Sequence, residues 1–172
     1  ASVDGRMGAS NNQPSWIGEG FDFSQGFVER RYKPCAKDGG NGASAGTSSG
    51  DLCWKTDNAI LSLGDRSAEL IKGTDGTWHA RSESGLRIER RTGAGNGDND
   101  GEHWVATDTD GVQYWFGRSR LPGWSSGRAE TGSVWTVPVY GNQSGEPCSA
   151  SPGWCQQAWR WALDKVVDRN GN

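Results

Sequence analysis

Turn signals recur through the middle of this 172-residue chain at a spacing that leaves room only for short strands between them. The signals are centred on Gly64, Gly76, Gly85 and Gly111, and each is flanked by aliphatic, β-branched or aromatic residues. Turn signals about every 8–12 residues between such runs are typical of hairpins that follow one another in sequence order. We therefore predict an all-β fold, an antiparallel meander or sandwich of short hairpins with long Gly-rich loops.

The clearest of these hairpins lies in residues 93–117, which open on an acidic, glycine-rich loop. Strand signals at 102–107 and 112–116 flank the Asp-Gly turn at Asp110. An Asp-Gly pair between aromatic or β-branched runs is a strong short-range hairpin signal. This stretch therefore combines the strongest fold signal with the best candidate for an ion site.

The composition supports strands and excludes two classes of partner. Only 33% of the residues are hydrophobic, while 27 are glycine and ten are tryptophan, so large aromatic side chains must fill a modest core. The formal net charge is −3, and phosphate binding needs a basic face, so no nucleic-acid partner is expected. No apolar run approaches the roughly 18 residues of a membrane span, so no membrane partner is expected either.

The four cysteines predict two disulfides. They allow three pairings, and we favour Cys35–Cys53 with Cys148–Cys155, because each bridge would close a local loop of poor intrinsic order. Each would stabilise the fold by about 2.5–3 kcal/mol on the chain-entropy model. Disulfides persist in oxidising compartments, so we expect a secreted, extracellular protein. The sequence has no signal peptide, which would make it a mature or excised form.

The chain divides into a flexible, polar lead-in at residues 1–15 and a single β-rich domain at 16–172. Residues 118–133 resemble a long irregular excursion, and 134–140 a strand that Pro138 would place at an edge or strand end. Residues 156–167 fit either one helical face or one strand face. The β-rich neighbourhood favours a strand.

The acidic loop has the oxygen-ligand pattern of a calcium site. Asn96, Asp98, Asp100 and Glu102 alternate along it, and a glycine at the sixth position would let the chain curl around a hard cation. The twelfth position is a threonine where an EF-hand needs glutamate, so a non-helical loop is expected. The alternative is a solvated Asn/Asp/Gly turn held by local side-chain bonds.

The tryptophans are the second candidate site. Exposed indoles suit sugar rings, which pack their C–H face on the aromatic plane. We take Trp104, Trp115 and Trp124 as candidate ligand-binding residues and expect Trp124, in a Pro/Gly loop, to be the most exposed. The alternative is that the tryptophans fill the core of a glycine-rich, aliphatic-poor domain.

Catalysis has little support in the sequence. Among 21 acidic residues, coincidental carboxylate pairs of the kind that glycosidases use are expected. A Ser/His/Asp triad could draw only on His79 and His103, and neither a Gly-x-Ser-x-Gly elbow nor a phosphate-binding loop is present.

Six blocks resemble the N-terminal part of secreted actinobacterial proteins of the RHS/YD-repeat class. They are SWIGEGF at 15–21, VERRY at 28–32, DLCWKTD at 51–57, NGDNDGEHW at 96–104, WTVPV at 135–139 and WCQQAWRW at 154–161. In that class, β-hairpin repeats wind into a hollow shell, and several members enclose a toxin. The resemblance implies a non-catalytic module that caps or plugs the shell, with an adjoining repeat chain or another protein as its partner. Family chains extend further on both sides, and nothing here matches their self-cleaving core or toxin.

The sequence therefore predicts a non-catalytic, secreted structural or binding module. The alternatives are a free-standing carbohydrate-binding or inhibitory protein and a small extracellular hydrolase that uses paired carboxylates.

Overall fold

The computed structural model describes residues 26–37, 51–82, 85–141, 143–149 and 153–172. The lead-in at 1–15 and most of the Gly-rich loop at 37–51 therefore lie outside the described residues. The described chain is built from eleven strands and one turn of 3₁₀ helix at Cys35–Lys37. The strands are β1 Gly26–Glu29, β2 Lys33–Pro34, β3 Leu52–Cys53, β4 Ala59–Leu63, β5 Arg66–Lys72, β6 Trp78–Ala80, β7 Arg87–Arg91, β8 His103–Thr107, β9 Gln113–Phe116, β10 Val134–Gly141 and β11 Gly153–Val167. The all-β prediction is confirmed.

One sheet curls around the core. Its strands run β2-β3-β10-β11-β1-β4-β5-β6, and β7-β8-β9 join the same sheet through β11. All pairs are antiparallel except β3 with β10. In the described part of the chain, β6 and β7 lie next to each other without a hydrogen-bonded ladder. The curled sheet is therefore nearly closed, with a seam between β6 and β7.

Local sequence accounts for the hairpins. The β4–β5 turn places Gly64 at φ 63°, and the β5–β6 and β8–β9 turns place Gly76 and Gly111 at φ 87° and 85°. L-residues rarely adopt this left-handed region, which explains why glycine marks each predicted turn. Successive strands pair from β4 to β6 and from β7 to β9, as the turn spacing predicts.

The predicted strand at 134–140 and the ambiguous segment at 156–167 both form strands. Residues 153–167 make the longest strand, β11, so the strand interpretation is confirmed. The prediction for Pro138 is wrong in part, because β10 lies between β3 and β11 and is not an edge strand. Proline is tolerated there because β3 pairs only with Val139 and Tyr140, so the ladder does not require an N–H from residue 138 on that side.

The core holds three tryptophans in contact. Trp78 packs edge-on against Trp104 at 5.0 Å between ring centroids, and Trp104 packs against Trp161 at 6.0 Å. Gly117, at φ 78°, makes room for this cluster, since a Cβ there would clash with the Trp161 indole. Large aromatic side chains therefore supply much of the volume that a glycine-rich, aliphatic-poor chain lacks. The remaining buried apolar side chains of the cluster are Val28, Ala59, Leu61, Leu70, Ile88, Ala106, Phe116 and Ala158.

Both predicted disulfides are present. Cys35–Cys53 joins the end of β2 to β3 and is buried, with Tyr140 packed against it. Cys148–Cys155 joins the segment before β11 to that strand. Each bridge spans a short separation, 18 and 7 residues, so both are local cross-links.

Among the described residues, no helix has the length and apolar character needed to cross a bilayer.

Candidate functional site

The acidic loop follows β7 and lies along β11. Asp98 Oδ1 accepts a hydrogen bond from Ala158 N at 2.7 Å, and Asn99 N donates to Gln156 O at 2.8 Å. The loop thus provides hydrogen-bond partners for backbone groups of β11. These groups lie next to the end of the β1–β11 pairing, where Arg30 N donates to Trp159 O. Its first structural role is to continue the sheet edge where β1 ends.

Asparagine and aspartate side chains fold the loop on itself. Asp98 Oδ2 accepts from Asp100 N at 3.2 Å and from Glu102 N at 3.1 Å. Asn96 Oδ1 accepts from Asp98 N at 3.1 Å, and Asn96 Nδ2 donates to the carbonyls of Glu102 and Gly117, both at 2.8 Å. These are the short-range bonds that favour Asn and Asp in turns. The Asn96 side chain therefore links the loop to the end of β9.

Glu102 forms a buried ion pair with Arg30. The guanidinium donates to both carboxylate oxygens at 2.8 and 2.7 Å, and the two residues are 5% and 2% exposed. Arg30 also lies 5.3 Å from the Trp54 ring and 5.2 Å from the Trp161 ring. Arg90 adds a second cation, 3.1 Å from Glu102 and 3.0 Å from Asp100. A two-point guanidinium–carboxylate contact is both strong and directional, so Glu102 is fixed in place.

Three of the four predicted ion ligands come together. Ligand oxygens of Asp98, Asp100 and Glu102 lie within 4.8 Å of one another, so this cluster could hold a metal ion. Both polar atoms of Asn96 already have hydrogen-bond partners in the protein, as described above. The two arginines already place positive charge beside two of the three carboxylates. The sequence did not identify these arginines as part of the site.

The carboxylates of the cluster titrate differently. Burial, together with the hydrogen bond to Asp100, raises the pKa of Asp98 to about 6. Burial also acts to raise the pKa of Asp100, but the same hydrogen bond and the charge of Arg90 lower it overall. The pair thus resembles two carboxyl groups that share a proton, with the proton on Asp98.

The histidines are separated in the structure. His103 is buried on β8 with Nδ1 3.1 Å from Gly101 O, and burial lowers its pKa. His79 is exposed on β6. Within the described ranges, neither histidine hydrogen-bonds to a serine or a carboxylate, so no Ser/His/Asp arrangement forms there.

The predicted ligand-binding tryptophans have different environments. Trp104 is 1% exposed and lies in the core, so its ring offers no surface to a ligand. Trp115 and Trp124 are half-buried. The expectation that Trp124 is the most exposed tryptophan is wrong. Trp135 and Trp154, at 45% and 46%, are the exposed large hydrophobic side chains of the described chain.

Local contacts explain the burial of Trp124. The Arg120 guanidinium lies 4.2 Å from its ring centroid, and its Nε1 donates to Arg128 O at 2.9 Å. The loop also folds around a small groove of about 190 Å³, between Leu121 and Thr131. The indole therefore holds the excursion loop together.

The outer surface of the sheet carries one of the two exposed tryptophans, Trp135. Trp135 on β10 is opposite Arg160 on β11, and the Arg160 guanidinium lies 5.8 Å from the Trp135 ring and 4.1 Å from that of Phe27. Arg160 pairs with Glu29 at 2.7 Å. The exposed Trp135 ring therefore lies beside the Arg160–Glu29 ion pair.

Trp154 lies further along the same hairpin. Its ring contacts that of Tyr140, at 5.3 Å and a tilt of 57°. By strand alternation, Trp154 and Trp135 project from opposite faces of the β10–β11 hairpin. They therefore form two separate aromatic surfaces.

A groove of about 440 Å³ lies at the seam between β6 and β7. Trp78 and Ile88 form its base, with Lys72, Glu89 and Arg90 around it. Both base residues are buried, so the groove combines an apolar base with charged side chains around it.

Comparison with protein-family models, with curated proteins and with solved structures finds no match to this chain. The RHS/YD-repeat resemblance therefore stays a prediction.

Proposed function

We propose that this chain is a non-catalytic carbohydrate-binding module that stacks a sugar ring on Trp135. The observation that carries the proposal is the exposure of that indole, 45%, on the outer surface of the sheet where β10 pairs with β11. A pyranose ring can pack its C–H face on an indole while its hydroxyls bond to polar groups at the edge. Arg160 and Glu29, held as an ion pair beside the ring, supply such groups.

The contacts of the carboxylates in the acidic loop favour a binding role over hydrolysis. A glycosidase needs one carboxylic acid that can give up its proton and one free carboxylate facing the substrate. Here Glu102 is buried and bound by two arginines, and Asp98 is bonded to three backbone amides. Glu102 and Asp98 therefore stabilise the conformation of the loop.

A second candidate is the cap of an RHS/YD-repeat shell. The observation that favours it is β2, a two-residue strand of Lys33 and Pro34 at one end of the sheet. Short edge strands with lysine and proline discourage further strand addition, as expected where a sheet must stop. The partner would then be an adjoining repeat chain.

We further propose an extracellular location and calcium as the ion of the acidic cluster. Two disulfides support export, because such bonds persist in oxidising compartments. Three neighbouring carboxylates are the hard oxygen donors that calcium prefers. Such an ion would tie the loop down and would not activate water.

The test is binding of neutral oligosaccharides by the folded protein on a glycan array, followed by calorimetry on the best ligand. We expect Trp135→Ala to weaken binding about tenfold or more, because the stacking surface is removed. Trp124→Ala is the matched control, since that indole is used within its own loop. Unchanged affinity in Trp135→Ala, or equal loss in both variants, would overturn the proposal.

A further inference from the structure

A second surface lies on the outside of β7, β8, β9 and the end of β11. The register places Trp115 of β9 beside Val105 on one side and Lys165 on the other. Neighbouring residues of β9, Tyr114 and Phe116, contribute to the core cluster, so Trp115 projects outward. The outer side chains of these strands therefore surround one half-buried indole.

Three cations converge on this indole. The Arg118 guanidinium lies 5.0 Å from the Trp115 ring centroid, and the Arg91 guanidinium and the Lys165 ammonium each lie 5.5 Å from it. The indole also donates through Nε1 to Gln113 at 3.1 Å. The ring thus attracts and positions the three cations, and together with them we call it the Trp115 patch.

The charge of the Trp115 patch is not balanced by nearby acids. Glu89 is shared between Arg91, at 3.2 Å, and Arg87, at 3.4 Å. In the described part of the chain, neither Arg118 nor Lys165 forms a salt bridge with an acidic side chain. Asp164, next to Lys165, accepts its hydrogen bonds from Ser119, Thr131 and Ser133. Like charges gathered on one face repel each other unless an anion completes the arrangement.

The patch is compact, and its sign differs from that of the whole chain. Its three cations meet one carboxylate, that of Glu89, whereas the chain carries −3 overall. A nucleic acid needs a basic stripe that follows its backbone, whereas a single cluster fits one carboxylate or sulfate group at a time.

The patch shares strand β11 with Arg160, the residue opposite the sugar-stacking Trp135. Arg160, beside Trp135, and Lys165 lie on the same outer face of β11, because the register shift between Leu163 and Lys165 offsets their odd separation along the strand. The strand between them spans at most about 16 Å. An extended glycan could therefore contact both places.

We infer that the Trp115 patch binds carboxylate or sulfate groups, and that the glycan this protein recognises is acidic. The inference rests on the proposed carbohydrate binding and adds a second contact area, which selects by charge. Arginine binds planar oxyanions at two points, and the indole keeps the cations in place before the ligand arrives.

The experiment compares four polymers in calorimetric titrations with the intact protein at constant ionic strength. Polygalacturonate carries carboxylates, dextran sulfate carries sulfates, dextran is neutral, and single-stranded DNA of matched charge tests the nucleic-acid alternative. The test variant is Arg118→Gln with Lys165→Gln. The control is Lys72→Gln with Arg81→Gln, which removes the same charge from β5 and the end of β6. Circular dichroism and thermal melting verify the fold of both variants.

We expect the wild type to bind at least one acidic glycan more tightly than dextran, and the test variant to lose about tenfold in that affinity. The control should lose less than about twofold, because its cations are exposed and already paired. Preference for polygalacturonate or for dextran sulfate identifies the anion. The inference is overturned if both double variants lose affinity equally, if neither does, or if DNA binds more tightly than both acidic glycans.

The Trp135 stacking proposal and the Trp115 patch proposal can be refuted independently of each other. If a neutral glycan binds through Trp135 and the Arg118/Lys165 variant leaves acidic glycan binding unchanged, only the Trp115 patch is refuted. If acidic glycan binding depends on the patch and Trp135→Ala has no effect on any glycan, the stacking proposal is refuted and the patch is supported.

Discussion

At the scale of single residues, the Arg30 guanidinium connects three parts of the chain. It binds Glu102 of the acidic loop, donates through Nε to Asn58 O at 2.9 Å, and lies between Trp54 and Trp161. Burial of a charge is costly unless its partner and its remaining donors are satisfied. Arg30 meets both conditions through Glu102 and Asn58 O. Neither Arg30 nor Glu102 can therefore be replaced without leaving the other charge buried with fewer partners.

Removal of Arg30 should therefore destabilise the protein strongly. We expect Arg30→Met to lower the free energy of unfolding by about 3–5 kcal/mol, because Glu102 is left buried beside the single cation Arg90. Arg81→Met is the control, since its pair with Glu69 is exposed and should contribute about 0–1 kcal/mol. Urea unfolding measures both. Equal losses would show that the pair with Glu102 has no special role.

Asp164 is a second residue whose setting has a measurable consequence. Its Oδ2 accepts from Ser119 N, Thr131 Oγ1 and Ser133 Oγ, while its buried Oδ1 has no partner among the described residues. Burial raises the pKa of this carboxyl. The fold therefore favours the neutral acid more than the unfolded chain does. Its stabilising contribution is present below the unfolded pKa and is lost as the pH rises through the folded pKa.

The variant Asp164→Asn should remove this pH dependence. The amide oxygen can accept the same three hydrogen bonds without a charge, so we expect a stability at pH 7 equal to or above that of the wild type. The advantage should shrink as the pH falls towards the unfolded pKa, where the wild-type acid is also neutral. Melting temperatures from pH 3 to pH 8 measure this. Asp164→Ala, which lacks the acceptor, should be less stable at every pH, and the same result for Asp164→Asn would contradict this account.

At the scale of elements, local signals predicted the hairpins and the grouping of the carboxylates. Gly64, Gly76 and Gly111 lie at the predicted turns, and the alternation of acids in residues 98–102 brings three of them together. The arginines of the loop were not predictable in this way. Arg30 is 72 residues from Glu102, and sequence spacing says nothing about contacts at that range.

Calcium binding is a property of the loop as an element. We expect millimolar Ca²⁺ to raise the melting temperature and EGTA to reverse the rise, since an ion that binds only the folded loop stabilises it. The rise should be small, because Arg30 and Arg90 already offset part of the charge. Asp100→Asn should abolish it, whereas Asp75→Asn, in another turn, should not. A melting temperature that calcium leaves unchanged would refute the site.

At the scale of the whole molecule, composition, turn spacing and the positions of the four cysteines were enough to predict an all-β domain with two local disulfides. The closure of the sheet was not predictable, because it depends on β11 pairing with β1, β9 and β10, which lie at very different distances along the chain. The exposure of the tryptophans was not predictable for a related reason. Trp124 is covered by Arg120 and Trp135 is not, and the position of Trp124 in a Pro/Gly loop does not reveal this difference.

The position of β11 in the chain has a consequence for the timing of folding. This strand is the last of the eleven, yet it pairs with the first, β1, and with two others. A ribosome or an export channel delivers the chain from its N-terminal end, so the β4–β6 hairpins and the Cys35–Cys53 bridge can form early. The tryptophan core cannot form until β11, which carries Trp161, has been delivered. Until then, Trp78 and Trp104 lack their partner, and this interval is when a chaperone would be most useful.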